Sequence, residues 1–235
     1  MSFIGQTSAL LRQEFRAEFR NPYQLAGILL YVLAAVIIVY VALTRFSIMV
    51  WNPIFWVLLF FAAVSAAGRS FVLEQGRRQL YYYSLVSPEA ILAAKFLYNT
   101  LLLFGLGIFL WGLLILFNGG DVGIDAAGNP VSSAGGNPID DNGLFLLAIL
   151  GGSIGLSAAF SFVAALATRA GGTATLLAIL AFPLVIPLLL VLVRLGGYAI
   201  GLISGDFSTP LYLLLAIDLL LISAGMLLFP FVWRD

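Results

Sequence analysis

The sequence predicts an all-α polytopic membrane protein: six transmembrane helices preceded by an amphipathic helix at the membrane surface. Three observations predict it. Hydrophobic residues make up 62% of the 235-residue chain and charged residues only 9%, against about 25% charged in ordinary globular chains. Mean hydropathy is +1.09, too apolar to cover a water-facing surface. Six separated runs, about 25–44, 48–68, 92–117, 143–167, 173–195 and 210–232, each approach the roughly 20 apolar residues that a helix needs to cross the hydrocarbon layer. Barrel strands would be about half as long and would alternate polar with apolar. The whole chain, 1–235, reads as one membrane domain.

Composition also excludes chemistry. There is no cysteine and no histidine. A disulfide framework, a thiolate–imidazole metal site, a histidine base, a cysteine nucleophile and histidine or cysteine ligation of haem are all outside the reach of this chain. Net charge is zero, so no global charge points to nucleic acid. No catalytic, metal or cofactor-binding set emerges, and no paired carboxylates fall at helical spacing inside the runs.

The elements follow in order. Residues 3–20 read FIGQTSALLRQEFRAEFR, with Ile4, Leu11, Phe15 and Phe19 at helical spacing and Arg12, Arg16 and Arg20 four apart. This pattern predicts an interfacial helix whose apolar side enters the bilayer and whose arginines reach anionic headgroups. It serves either as a topology-setting flank or as a docking element. Asn21-Pro22 ends it. The first run, Leu25 to Leu43, is uncharged and longer than the apolar core of a signal peptide, so it is expected to be a retained span.

Between the second and third runs lies the most charged stretch of the chain, LEQGRRQLYYYSLVSPEAILAAK. A helix over 71–86, ended by Pro88, is expected here. It is either positive ballast with Tyr81, Tyr82 and Tyr83 as interfacial anchors or a lever that couples to a partner. Residues 118–142, rich in Gly, Asn, Pro and Asp, read as a flexible solvated linker. Their aspartates do not match the spacing of a calcium-binding loop.

The fourth run carries Gly151 and Gly155, a small-residue pair that lets helices approach closely. Arg169-Ala170-Gly171-Gly172 is a tight turn that makes the fourth and fifth runs antiparallel neighbours. Pro183 and Pro187 interrupt the fifth run and predict a kink or a hinge. Asp218 lies about eight residues, or roughly 12 Å, into the last run. An intramembrane charge is expected to be paired, with Arg194 or Arg45 as partner, or to line a path.

Lysine and arginine set the orientation. Nine of the eleven fall on the side of both termini, and only Arg45 and Arg194 on the other. The expectation is a multi-pass protein with both termini in the cytoplasm. No nucleotide-binding loop pattern occurs, so any ATP chemistry belongs to another chain.

Two stretches resemble a known family. EQGRRQLYYYSLVSPEAILAAKFLYN is similar to the segment after the second span of the heme exporter protein B family, the CcmB permeases of cytochrome c maturation. The matching positions are Glu74, Gly76, Leu80, Leu85, Ser87, Pro88, Ala94 and Lys95, whereas Tyr81, Tyr82 and Tyr83 replace leucines usual there. ATRAGGTATLLAILAFPLVIPLLL is similar to a second family stretch, at Arg169, Gly171, Gly172, Pro183, Ile186, Pro187 and Leu188. A basic N-terminal helix with Glu14 and Arg20 also fits.

The resemblance implies an ABC-2-like permease subunit of the bacterial inner membrane. It implies a CcmA-like cytoplasmic ATPase that holds ATP and Mg, CcmC-like and CcmD-like membrane subunits, and a CcmE-like haem chaperone. Haem would be cargo of the complex, not a cofactor of this chain. Two copies, or one copy plus another permease, would each complete the membrane part. ATPase coupling is expected of Glu74, Gly76, Arg77, Arg78, Leu80, Tyr81, Pro88 and Arg169. A permease of the same class that exports another substrate, such as a drug or a lipid-linked compound, is the alternative.

Overall fold

The computed structural model describes residues 3–20, 23–42, 48–72, 88–117, 122–124, 130–132, 139–169 and 174–234. Among them are seven helices and one small hairpin. The helices are α1 (Phe3–Arg20), α2 (Tyr23–Ala42), α3 (Ile48–Val72), α4 (Pro88–Phe117), α5 (Asn142–Arg169), α6 (Ala174–Ala199) and α7 (Ser208–Arg234). All but α1 are long and apolar enough to cross a membrane.

The central helix is α5, with 67% of its spanning residues buried, against 17% for α2. It touches α3, α4, α6 and α7. Small residues explain this centrality. A Cβ placed on Gly151 would sit 2.6 Å from Leu214 of α7, and one on Gly152 would sit 2.9 Å from Trp56 of α3. Without side chains at these positions, neighbouring helices approach the α5 backbone and gain dispersion contacts, the main attraction available in lipid. At the periphery, α2 turns Ile28, Val32 and Val36 inward at four-residue spacing. Leu30, Ile38 and Val41 stay exposed, as lipid-facing side chains would be.

The core between α3, α4 and α5 is aromatic. Trp51, Phe55, Trp56 and Phe145 are buried. Phe145 lies 5.0 Å from Phe55, 5.5 Å from Trp51 and 5.7 Å from Trp111. Tilted and edge-on pairs of this kind add to burial because ring faces and edges carry opposite partial charge.

Helix ends follow local chemistry. Asp141 caps α5, accepting a hydrogen bond from the Leu144 amide at 2.9 Å. Asp206 accepts from both the amide and the hydroxyl of Ser208 at the start of α7. These hydrogen bonds, the hydroxyl's first, hold the exposed Asp206 carboxyl below its ordinary value. After α6 the chain turns at Gly201, whose φ of 70° is left-handed and suits glycine.

Three expectations meet the structure at Pro88, in the 118–142 segment and at the prolines of α6. The expected helix over 71–86 falls almost wholly outside the described residues, and Pro88, expected to end it, opens α4. A first-turn proline needs no backbone donor, and Glu89 beside it suits the helix N-terminus. Residues 71 and 72 belong to α3, and 73–87 lie outside the described residues. The 118–142 segment is not wholly a linker. Val122–Ile124 (β1) and Pro130–Ser132 (β2) pair antiparallel, with Gly123 opposite Val131. Its last residues dock: Ile139 is buried, and the amides of Asp140 and Asp141 both donate to the Ala199 carbonyl at 3.1 and 2.9 Å. That bond satisfies a carbonyl left over at the end of α6. Finally, α6 continues as a helix past Pro183 and Pro187, each of which removes one helical hydrogen bond, and a kink at such a proline leaves the helix continuous.

Candidate functional site

The polar side chains gather in three places, and the most developed is the seam between α1 and α4. Lys95 is 4% exposed. An unpaired ammonium at such a site is costly, and Glu14 of α1 answers it, with Oε1 3.6 Å from Nζ. One turn further on, the Tyr98 hydroxyl donates to Glu18 Oε2 at 2.9 Å. Between them Phe15 packs edge-on against the Tyr98 ring, with centroids 5.4 Å apart. The four-residue spacing of Glu14 and Glu18 puts both carboxylates on one face of α1, matched by Lys95 and Tyr98 three apart on α4.

This reverses part of the expected orientation of α1. The face turned to the bundle carries Thr7, Leu11, Glu14, Phe15 and Glu18, while Ile4 is 78% exposed. The apolar stripe read from the sequence missed the carboxylates. The signal was present as a lysine just inside an apolar run and two glutamates one turn apart in an arginine-rich helix. Beyond the seam, the carbonyl of Phe96 accepts from Ser157 of α5 and from Thr100, each at 2.8 Å. Asn99, also buried, has no hydrogen-bond partner among the described residues.

The second place is Asp218 on α7. It is buried against Gly155 and Gly151 of α5, beside Leu188 of α6. Gly155 is what makes room: a Cβ there would collide with Asp218 Oδ1 and would lie 2.7 Å from Leu188. Of the two expected arginine partners, only Arg194 lies among the described residues. Arg194 is exposed and makes no ion pair with Asp218, and Asp218 Oδ1 has no hydrogen-bond partner among the described residues. Arg45 lies outside the described residues. The helical register explains the miss: Asp218 faces the α5 glycines, whereas Arg194 points away from the bundle.

The third place was not foreseen. Asn52 of α3 donates from Nδ2 to the Val193 carbonyl of α6 at 2.6 Å and accepts from Trp56 Nε1 at 2.9 Å. The absence of a side chain at Gly196 gives the Asn52 amide its space. This clip joins α3 to α6 near the end where Asp140 and Asp141 bind Ala199.

Of the expected coupling residues, Glu74, Gly76, Arg77, Arg78, Leu80 and Tyr81 lie outside the described residues, as do Gly171 and Gly172. Arg169 is the last residue of α5. Among the described residues no group of three or more acidic side chains gathers to hold a metal ion.

These features define a polytopic all-α membrane protein. No protein family, no curated protein and no solved structure matches the chain.

Proposed function

We propose that this chain is the membrane permease subunit of an ATP-driven ABC-type complex. The complex would act in haem export, or in release of a haem-loaded chaperone, during cytochrome c maturation. The observation that carries the reading is the Glu14–Lys95 pair. Both residues belong to stretches that resemble the CcmB family, yet they are 81 positions apart in sequence. Their contact gives the resemblance a physical role: the terminal helix is tied to the helix that directly follows the charged segment 73–87.

The rest of the reading fits around that tie. Nine of the eleven cations lie on the side of both termini, which supports cytoplasmic termini in a bacterial inner membrane. The charged segment then meets the cytoplasm, where a CcmA-like ATPase that holds ATP and Mg would dock on Glu74, Arg77 and Arg78. The chain has no histidine or cysteine with which to ligate haem iron. Its part is therefore mechanical, with haem handled by CcmC-like and CcmE-like partners.

Purification of the tagged chain from its native host, followed by identification of its partners, tests the proposal. Recovery of a CcmA-like ATPase together with a CcmC-like subunit is the expected result. Stable isolation without any ATPase overturns it. An ATPase without a CcmC-like subunit transfers the reading to export of another substrate.

A further inference from the structure

We propose that α1 is a headgroup-binding helix whose Arg12, Arg16 and Arg20 engage the phosphates of anionic phospholipids in the leaflet nearest the chain termini. The first observation is charge separation. α1 holds three arginines and two glutamates among its 18 residues. Both glutamates turn inward, Glu14 to Lys95 and Glu18 to Tyr98. Arg12, Arg16 and Arg20 are all exposed, and none pairs with a described carboxylate. The outer face is therefore purely cationic.

The second observation is spacing. At about 1.5 Å per residue the three side chains rise in steps of about 6 Å along one stripe. Like charges four apart on a helix repel, so a stripe without an ion pair among the described residues gains from an external line of anions. Ala9 and Ala17, both exposed, flank the arginines and leave room for a headgroup to approach the helix. Arginine suits this role because its planar fork matches phosphate oxygens in pairs.

The third observation is depth. α4 has 30 residues and is about 45 Å long, whereas the hydrocarbon layer is about 30 Å thick. Its charged residues, Glu89 and Lys95, lie in its first eight positions, so the surplus length belongs at that end. α1 is pinned there, at headgroup level. Anionic lipid attracts basic segments at that depth. An acidic patch on a cytoplasmic protein would need the same arginines; the lipid is favoured because the pinned helix already lies at the surface where headgroups are concentrated.

The test uses the full chain purified in a neutral detergent and given equal amounts of phosphatidylglycerol and phosphatidylcholine. Native mass spectrometry counts the lipids retained. Wild type is expected to keep the glycerol lipid severalfold over the choline lipid. That preference should fall to near parity in R12Q/R16Q/R20Q and survive in R12K/R16K/R20K. Circular dichroism confirms that the variants remain helical. A wild type without preference, or a glutamine variant that keeps it, overturns the proposal. So does a result in which the glutamine variant loses only a copurifying cytoplasmic protein while lipid retention is unchanged.

Discussion

Lys95 Nζ lies 3.6 Å from Glu14 Oε1, so the buried cation of α4 is held by a carboxylate from the terminal helix. The two charges depend on each other. Removing Glu14 leaves an ammonium that cannot regain water without moving the helix. Glu14→Gln should therefore destabilise the protein by about 1–3 kcal/mol, the range for a buried polar group that loses a partner, and less than for a fully buried pair because Glu14 is partly exposed. Lys95→Met in the Glu14→Gln background should recover most of the loss, because the charge that Glu14 balanced goes with it. Thermal unfolding in detergent of both singles and the double closes the cycle. A double variant as weak as the sum of the singles would show that the pair does not hold the seam.

Asn52 supports a second prediction. It donates to the Val193 carbonyl and accepts from the Trp56 indole, both inside the bundle. Asn52→Leu leaves the Trp56 indole donor unmatched, removes the extra bond to the Val193 carbonyl and presses a branched side chain toward Gly196, which has no space to give. A loss of about 1–3 kcal/mol is expected, together with a shift in tryptophan emission as the Trp56 environment changes. Unchanged emission and melting would mean that the α3–α6 contact does not rest on this clip.

The legible and illegible parts of this structure divide along a physical line. The six spans could be read because lipid demands about 20 apolar residues in a row and leaves no alternative. Gly151 and Gly155 could be read as a packing face for a similar reason: small residues in a membrane helix have few other uses. The orientation of α1 could not. Its sequence offers Ile4, Leu11 and Phe15 to the bilayer, yet the bundle takes Leu11 and Phe15 together with Glu14 and Glu18; that choice depends on Lys95, 81 positions after Glu14. Pro88 was ambiguous because proline both ends one helix and opens the next. Spacing alone does not decide whether Arg194 meets Asp218, because side-chain direction, set by helical register, governs contact.

Asp206 leads to a pH prediction. Hydrogen bonds from the Ser208 hydroxyl and amide favour its ionised form, so its carboxyl titrates below the ordinary value. A depressed acid contributes stability above the unfolded value, near pH 4, and loses it as pH falls through the folded value. The start of α7 should therefore loosen on acidification below about pH 4. Hydrogen exchange at the Ser208 amide, corrected for the intrinsic pH dependence of exchange, reads this directly. Asp206→Asn keeps an acceptor oxygen but should remove the acid-dependent step. Persistence of that step in the variant would assign it to another group.

The contact between Gly155 and Asp218 leaves no room for a side chain on α5. Elsewhere in a helix, replacing glycine by alanine gains up to about 1 kcal/mol of helix propensity. Here the new methyl would collide with Asp218 Oδ1 and lie 2.7 Å from Leu188. Overpacking of this kind costs about 1–3 kcal/mol, so the clash outweighs the propensity and Gly155→Ala should destabilise. The relief is specific. Asp218→Ala removes the carboxylate that the methyl strikes, so G155A/D218A should melt above G155A alone. Gly105, with nothing near its Cβ position, is the control: Gly105→Ala should leave the melting point unchanged or raise it. If Gly155→Ala behaves like Gly105→Ala, then α7 does not seat its aspartate in the notch of α5.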